Sequence, residues 1–292
     1  MSGMNTAFDP MAPTRNGWWC ADGIRVRRRS GSHRCGGHRR WCTPRFCVHR
    51  GDVWLTVEHD VRPDELSDEL AVLLVADLID GGALRGRSEF EAVFTGVVRS
   101  TVDGALPAWL RFYRNSLALL ESGTAAFAPV HARAQTLVAG NRVVDLGSCF
   151  GFFPLRLARH GFDVVATDLS GPAMHLLDLA AAALQRPVHT ARCDAAAVPL
   201  PDHCADTVTA LHLLEHLDDH TIGAALGEAL RLARRRVVVA VPMEDRPREC
   251  YGHIQRFDLT RLQQLGARWC AEFPGLTATV DEFHGGWLIL DL

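Results

Sequence analysis

Apolar residues in the second half of the chain alternate between runs typical of buried strands and spacings typical of amphipathic helices. The run from Val143 to Leu146 predicts a strand that ends before Gly147. Apolar positions from Phe153 to Ala158 then predict a helix buried against a sheet, and 163–167 predicts a second strand. The order strand, helix, strand predicts a βαβ unit.

Helical spacing dominates the segment that precedes this unit. After a short alternating strand at 53–57, we expect a helix that opens at Pro63 and closes at Gly81. Three more helices are predicted at 88–102, 107–120 and 129–138. On one face of the second of these lie Trp109, Phe112 and Tyr113. Such a face packs a helix onto a neighbouring domain or, as the alternative, stacks on a sugar.

The chain beyond the βαβ unit continues the alternation of helices and strands. The pattern predicts a strand at 207–211, a helix at 219–233, a strand at 236–241 and a helix at 258–265. Two final strands are predicted at 277–283 and 287–290. Gly285 and Gly286 lie between them, which favours an antiparallel hairpin with a two-residue turn.

Two glycines and an acid mark the turn of the βαβ unit as a nucleotide site. Gly147 and Gly151 let the backbone approach a ligand without a Cβ, and the helix start directs N–H groups toward that ligand. Asp168 follows the second strand, where a carboxylate can accept the hydroxyls of a ribose. The dinucleotide fingerprint GxGxxG fails, because Cys149 and Phe152 occupy its later glycine positions. A βαβ unit that merely packs on a glycine is the alternative.

Two segments in order resemble motifs of class I S-adenosylmethionine (SAM) methyltransferases. RVVDLGSCFG resembles motif I, with Cys149 as a departure, and RCDAAAVPLPDHCADTVTALHLLEHL is similar to a later stretch of the family. The resemblance implies SAM as cofactor, with Asp194 beside the adenine amino group. It implies these cofactor-binding residues: Asp145, Gly147, Ser148, Cys149, Gly151, Asp168, Leu169, Asp194, Ala195 and Leu211. A fold that no longer binds SAM is the alternative.

The resemblance covers residues 142–292 and implies an α/β fold. The expected sheet is Rossmann-like, in the order 3-2-1-4-5-7-6 with strand 7 antiparallel. We therefore expect three parts. Residues 1–50 form a basic, Cys- and Arg-rich extension that is poorly ordered, 51–140 form a mainly helical module on the substrate side, and 141–292 form the SAM-binding domain.

Composition narrows the possible functions. All 31 basic side chains are arginine, since the chain contains no lysine, and this excludes P-loop and Schiff-base enzymes. Against 34 acidic residues the net charge is −3. The first 50 residues carry ten arginines and two acids, or +8, which leaves −11 for the remainder. An acidic catalytic part repels a polyanion, so no nucleic-acid partner is expected.

The hydropathy and the cysteines of the chain predict where in the cell the protein is located. No apolar run is long enough to span a membrane and no signal-peptide pattern begins the chain, so we expect no membrane partner and a cytoplasmic location. Five cysteines are expected to be reduced in or near core elements: Cys149, Cys193, Cys204, Cys250 and Cys270.

A group of cysteines and histidines in the extension raises the question of zinc. Its members are Cys20, Cys35, Cys42, Cys47, His33, His38 and His49. Zinc modules bring two ligands within two to four residues, and only Cys42 and Cys47 come near that spacing. A poorly ordered segment is the preferred interpretation.

Three residues are predicted to act in catalysis: Glu215, His216 and His253. Both histidines follow predicted strands at the edge where pockets open, and a histidine can remove the proton of an alcohol. Packing within the LHLLEHL segment, which also contains His212, is the alternative for each. His284 near the sheet edge is a further candidate.

Acids in the same segment raise the question of a metal. Glu215, His216, Asp218 and Asp219 could bind magnesium or manganese. Capping and the helix dipole explain acids at a helix start more simply, so no metal is predicted.

A narrower resemblance covers residues 53–292. The run from FYRNSLALL to GSCFGFFPL, the LHLLEHL element, YGHIQRFDL and EFHGGWLILDL look like the mycofactocin oligosaccharide methyltransferase family. This resemblance implies O-methylation of a glucose in the glycan of the redox cofactor mycofactocin, with a small molecule or glycan as acceptor. A different small molecule or polysaccharide is one alternative. A noncatalytic methyltransferase-fold protein that binds a partner through the basic extension is another, and the oligomeric state is not predicted.

Overall fold

The computed structural model describes residues 9–29 and 40–292. These residues divide into two compact units, one that ends at Leu119 and one that begins at Leu120. The division differs from the boundaries predicted near residues 50 and 140. Strands from the predicted extension pair with the strand that follows it, so the first boundary does not separate two parts.

The N-terminal unit contains a five-stranded sheet in the order β1-β2-β5-β4-β3. Its strands are β1 (Trp19–Ala21), β2 (Ile24–Arg28), β3 (Arg40–Cys42), β4 (Phe46–Arg50) and β5 (Leu55–His59). β2 and β5 are parallel, and the other neighbours are antiparallel. These parts of the predicted extension are therefore strands and not poorly ordered chain. Residues 1–8 and 30–39 of the extension lie outside the described residues.

Alternation along β2 explains why an arginine-rich segment forms a strand. Ile24 and Val26 are buried, while Arg25 and Arg27 point to the other face. There both guanidinium groups lie over the ring of Trp18, at 4.9 and 4.3 Å from its centroid. Arginine stems cover apolar surface while the charged ends stay in water, so arginine content alone does not indicate disorder.

The two cysteines whose spacing comes closest to that of zinc ligands are bonded to each other in the structure. Cys42 and Cys47 lie opposite each other in β3 and β4 and form a disulfide. Of the other residues in that predicted group, Cys35, His33 and His38 lie outside the described residues.

Three helices complete the N-terminal unit: α1 (Glu69–Leu74), which continues as a π-helical turn (Val75–Ile79), α2 (Gly86–Thr101) and α3 (Ala105–Ser122). α1 begins later than the predicted start at Pro63, because the side-chain amide of Asn115 donates hydrogen bonds to the carbonyls of Pro63 and Leu66.

The aromatic face of α3 is buried inside the N-terminal unit. Trp109, Phe112 and Tyr113 are at most 2% exposed. Phe112 meets Phe94 of α2 edge to face, with the ring centroids 5.7 Å apart. These rings therefore pack against α2 and do not offer a surface for a sugar.

The C-terminal unit is built on a seven-stranded sheet. Its strands are β6 (Arg142–Leu146), β7 (Asp163–Asp168), β8 (His189–Arg192), β9 (Ala205–Leu211), β10 (Ala233–Val241), β11 (Thr277–Glu282) and β12 (Gly286–Asp291). The order β8-β7-β6-β9-β10-β12-β11 is 3-2-1-4-5-7-6 when the strands are numbered within the unit. β12 is antiparallel to both of its neighbours, and the other pairs are parallel. The predicted fold class is confirmed.

Helices cover both faces of this sheet: α4 (Ala128–Leu137), α5 (Phe152–Arg159), α6 (Gly171–Leu184), α7 (Asp219–Leu232) and α8 (Leu259–Glu272). One core cluster contains apolar residues of α7 and α8, and the other contains residues of α4 and α5. Val143 and Val144 of β6 join different clusters, because successive strand residues point to opposite faces. No helix within 9–29 and 40–292 is long and apolar enough to cross a membrane.

The final hairpin has a longer turn than predicted. Gly286 pairs with Glu282 as the first residue of β12, so the turn consists of 283–285 and not of two glycines. Gly285 has φ 130°, which favours glycine, and a Cβ there would lie 2.5 Å from the carbonyl oxygen of Val241.

Candidate active site

The turn between β6 and α5 requires its two motif glycines. Gly147 and Gly151 have φ values of 69° and 70°, in the left-handed region that glycine adopts at little cost. A Cβ at Gly147 would lie 2.6 Å from Leu213 Cδ1, and one at Gly151 would lie 2.4 Å from Leu177 Cδ2. The backbone conformation and the lack of space for a Cβ therefore both require glycine at these positions.

Asp168, at the end of β7, holds this turn in place. Its Oδ2 accepts a hydrogen bond from the N–H of Cys149 at 2.9 Å, and its Oδ1 accepts one from the N–H of Ser170 at 2.8 Å. Cys149, where the methyltransferase motif has glycine, adopts φ 52° and is exposed. The bond to Asp168 stabilises this unusual conformation, since a carboxylate is a strong acceptor.

Asp145 connects the turn to the neighbouring strand. It is buried, and its two oxygens accept hydrogen bonds from Ser148 Oγ at 2.7 Å and Thr209 Oγ1 at 2.5 Å. Burial raises the pKa of Asp145 to about 6, although the two hydroxyls lower it, and the nearby charge of Asp168 adds to the rise. Both of these hydrogen bonds are made within the protein, so Asp145 supports the shape of the turn.

A pocket opens beside the turn. It is lined by Gly147, Asp168, Leu169, Cys193, Asp194, Ala195, Leu213 and Leu217. Five of these are among the predicted cofactor-binding residues. The other five predicted residues, Asp145, Ser148, Cys149, Gly151 and Leu211, are not part of this lining.

Sequence reasoning missed three residues of the pocket lining, Cys193, Leu213 and Leu217. The two leucines stand four residues apart in LHLLEHL, on either side of its acid. This spacing indicates that the two leucine side chains can face the same site.

Glu215, His216 and His253 meet at the carboxyl ends of β9 and β10. The first two lie in the 3-10 helix Leu214–His216 after β9, and His253 follows the 3-10 helix Glu249–Tyr251 after β10. One donor atom from each of the three lies within 4.8 Å of the others. The two histidine rings meet edge to face, with centroids 4.9 Å apart. We name these three residues the Glu-His cluster.

Each histidine of the Glu-His cluster has an acceptor at Nδ1. His253 Nδ1 lies 2.8 Å from Glu244 Oε2, and His216 Nδ1 lies 3.2 Å from the carbonyl oxygen of Gly252. A ring that donates its Nδ1 proton to such an acceptor carries its lone pair on Nε2. His253 Nε2 lies 4.0 Å from Glu215 Oε1. Sequence reasoning missed Glu244, although an acid just beyond a strand of this edge is a recognisable signal.

The carboxylate of Glu215 is fully buried, at 0% exposure of its side chain. Burial raises the pKa of Glu215, but the neighbouring His212 and His216 outweigh burial and hold the pKa below its usual range. His212 Nδ1 lies 3.2 Å from Glu215 Oε1. Neither carboxylate oxygen has a well-aligned hydrogen-bond donor among the described residues.

Residues 144–241 match a family model for a methyltransferase domain. The matched range runs from β6 to the end of β10 and contains the glycine turn, the lining of the pocket, and Glu215 with His216. The chain is a SAM-dependent methyltransferase.

Several solved structures are similar to this methyltransferase. The PH0226 protein from Pyrococcus horikoshii OT3 is 14% identical over 56% of this chain and 88% of that chain, with a TM-score of 0.48. A SAM-dependent methyltransferase from Aquifex aeolicus is 16% identical over 60% and 97%, with a TM-score of 0.44. Magnesium protoporphyrin IX methyltransferase from Synechocystis PCC 6803, with bound SAM, is 19% identical over 64% and 82%, with a TM-score of 0.42. No curated protein matches the chain.

The chemistry of the pocket lining suits SAM, the cofactor of this methyltransferase. Asp168 and Asp194 supply carboxylates for hydroxyl and amino donors, and Leu213 and Leu217 supply apolar surface for a flat ring. At Gly147 a Cβ would fill space between the turn and Leu213, so the missing side chain keeps this side of the pocket open.

The other polar residues that the sequence suggested as candidates lie outside the Glu-His cluster. Asp218 caps α7 by accepting a hydrogen bond from the N–H of Thr221 at 2.8 Å, and Asp219 pairs with Arg261. Capping therefore accounts for Asp218, and these two acids are not members of the Glu-His cluster. His284 is exposed in the hairpin turn.

Proposed function

We propose that this methyltransferase transfers the methyl group of SAM to a sugar hydroxyl, and that the sugar is a glucose of the mycofactocin oligosaccharide. The resemblance of residues 53–292 to that family supports this acceptor. One structural observation supports the chemistry. The Glu-His cluster brings two imidazoles and a buried carboxylate together at the carboxyl ends of β9 and β10.

The position of the cluster suits it to act on an acceptor. Glu215 and His216 lie between Leu213 and Leu217, which line the pocket. When bound, SAM supplies a methyl carbon on a sulfonium, which a nucleophile attacks in line. We therefore expect an acceptor oxygen beside the cluster to lie near the bound cofactor.

Proton removal is the task of the cluster, because an alcohol keeps its proton at neutral pH. His253 Nε2 accepts that proton as the oxygen attacks. Glu244, 2.8 Å from Nδ1, orients the ring and stabilises the imidazolium that forms. In the pocket, Asp168 would accept hydrogen bonds from the ribose hydroxyls, and Asp194 would accept one from the adenine amino group.

An acceptor screen with methyl-labelled SAM tests this function. The expected product is a methyl ether on a glucose residue of an oligosaccharide, with little transfer to amines, thiols or carboxylic acids. Label that enters only a non-sugar acceptor would contradict the proposal.

His253→Ala tests the proton acceptor. We expect turnover to fall about 100-fold or more, as for loss of a general base, while SAM affinity and thermal stability are retained. His220→Ala, at an exposed position, serves as the matched control. Full turnover in His253→Ala would show that the base lies elsewhere.

A further inference from the structure

We propose that the Glu-His cluster binds one divalent transition-metal ion, with Glu215, His216 and His253 as its ligands. Two imidazole nitrogens and one carboxylate oxygen form a donor set typical of zinc and of non-haem iron(II) sites with open positions. Magnesium prefers oxygen ligands throughout, so it does not suit this set. The sequence predicted no metal here, because His253 joins the other two ligands only in the folded chain.

The spacing of the three donor atoms is close to that of a metal site. They lie within 4.8 Å of one another. Ligand atoms bound at about 2.1 Å to one ion in tetrahedral geometry are about 3.4 Å apart. The donor atoms therefore need to close by up to about 1.4 Å, which changes in the side-chain torsion angles allow.

The Nδ1 contacts of the histidines match those of metal ligands. A ligating histidine donates its second ring N–H to a carboxylate or a backbone carbonyl, which fixes the ring and its tautomer. His253 has the carboxylate of Glu244 at 2.8 Å, and His216 has the carbonyl of Gly252 at 3.2 Å. Both arrangements place the lone pair on Nε2.

The buried carboxylate of Glu215 independently indicates a cation. Its side chain is 0% exposed, and neither oxygen has a hydrogen-bond partner of good geometry among the described residues. A buried charge in this state is unfavourable unless a cation compensates it. His212 Nδ1 lies 3.2 Å from Glu215 Oε1 without the alignment of a good hydrogen bond, so it leaves room for a cation at this carboxylate.

The bound ion would retain coordination positions for an acceptor oxygen. A hydroxyl bound there would lose its proton to solvent more readily, as water does on zinc. This use of the ion rests on the proposed function and is the alternative to His253 as the base, because an Nε2 atom that binds a metal has no lone pair left to accept a proton. Metal binding itself does not depend on the identity of the acceptor.

Metal titration of the full chain tests the site. After treatment with a chelator, the protein is titrated calorimetrically with Zn²⁺ and Mg²⁺, and with Co²⁺ under visible absorption. We expect one Zn²⁺ or Co²⁺ per chain, no Mg²⁺ binding, and a cobalt spectrum without thiolate charge-transfer bands. Glu215→Gln and His253→Gln should weaken binding at least 100-fold, and Glu244→Gln about 10- to 100-fold.

His220→Gln is the matched control and should bind metal as the parent protein does, since this histidine is exposed on α7. If Glu215→Gln does not fold, His253→Gln and Glu244→Gln decide the question. Failure of the folded, SAM-binding protein to take up metal would overturn the inference. So would unchanged affinity in the cluster variants or a thiolate spectrum.

Methyl-transfer assays separate this inference from the proposed function. Full sugar methylation by metal-free protein would overturn the catalytic use of the ion and leave the function intact. Stoichiometric metal binding without methylation of any sugar would support the site and contradict the function.

Discussion

Replacing Asp145 with asparagine should remove a pH-dependent loss of stability. The Asp145 carboxyl is buried, and burial raises its pKa from 3.8 to about 6 even though Ser148 and Thr209 donate hydrogen bonds to it. The folded protein therefore holds this proton more tightly than the unfolded chain does. Asparagine has nearly the same shape and no charge, so it keeps the packing and loses the titration.

The sign and size of the effect follow from the two pKa values. The stability that Asp145 contributes is fully present below about pH 4 and is lost as the pH rises through 6, because the charged form must then be buried. Two pKa units correspond to about 3 kcal/mol of unfolding free energy at 25 °C. The parent protein should lose about 2 to 3 kcal/mol relative to Asp145→Asn between pH 4 and 7.

Urea unfolding of the two proteins across this pH range measures the difference. Subtraction removes the contribution of other groups, such as Asp68 in the N-terminal unit, whose pKa burial also raises to about 6. Asp245→Asn, which alters an exposed carboxyl, is the control and should show no such trend. A constant difference between the parent and Asp145→Asn from pH 4 to 7 would refute the reasoning.

Two further substitutions test the glycine turn and the cofactor pocket. Gly151→Ala should destabilise the protein by about 2 to 4 kcal/mol, since it combines a left-handed conformation with a Cβ 2.4 Å from Leu177. Gly161→Ala has φ 84° and no atom within 4 Å, so it should cost only about 1 kcal/mol, and equal shifts in melting temperature would contradict the predicted clash. Asp168→Ala should weaken SAM binding by about 1 to 3 kcal/mol in calorimetry, and unchanged affinity would exclude contact with the ribose.

Local sequence patterns were sufficient to predict most of the helices and strands of the C-terminal unit. Strand β6 was predicted at residues that the structure places in it, because an apolar run followed by glycine reports a buried strand and a tight turn. The resemblance to methyltransferases implied the order of all seven strands, which periodicity alone cannot provide. The last turn differed, because Gly286 pairs with Glu282 as the first residue of β12, and α8 continues to Glu272, beyond its predicted end at 265.

The N-terminal unit was harder to predict. The Arg25 and Arg27 pair was interpreted as part of a disordered segment, whereas the structure places both on one face of a strand with Ile24 and Val26 on the other. β2 is parallel to β5, so its partner lies far along the chain. Composition does not encode such a pairing, since burial of one face outweighs the charge of the other.

The sequence by itself determined the positions where backbone conformation and periodicity leave little choice: the buried strand before Gly147, the glycines of the turn, and the acid that ends β7. The tertiary structure alone decided that Glu244 contacts His253 and that this histidine meets Glu215. The physical reason for the meeting of His253 with Glu215 is the sheet order. β9 and β10 are neighbours, so the segments that follow their carboxyl ends converge, and no local pattern in either segment records that contact.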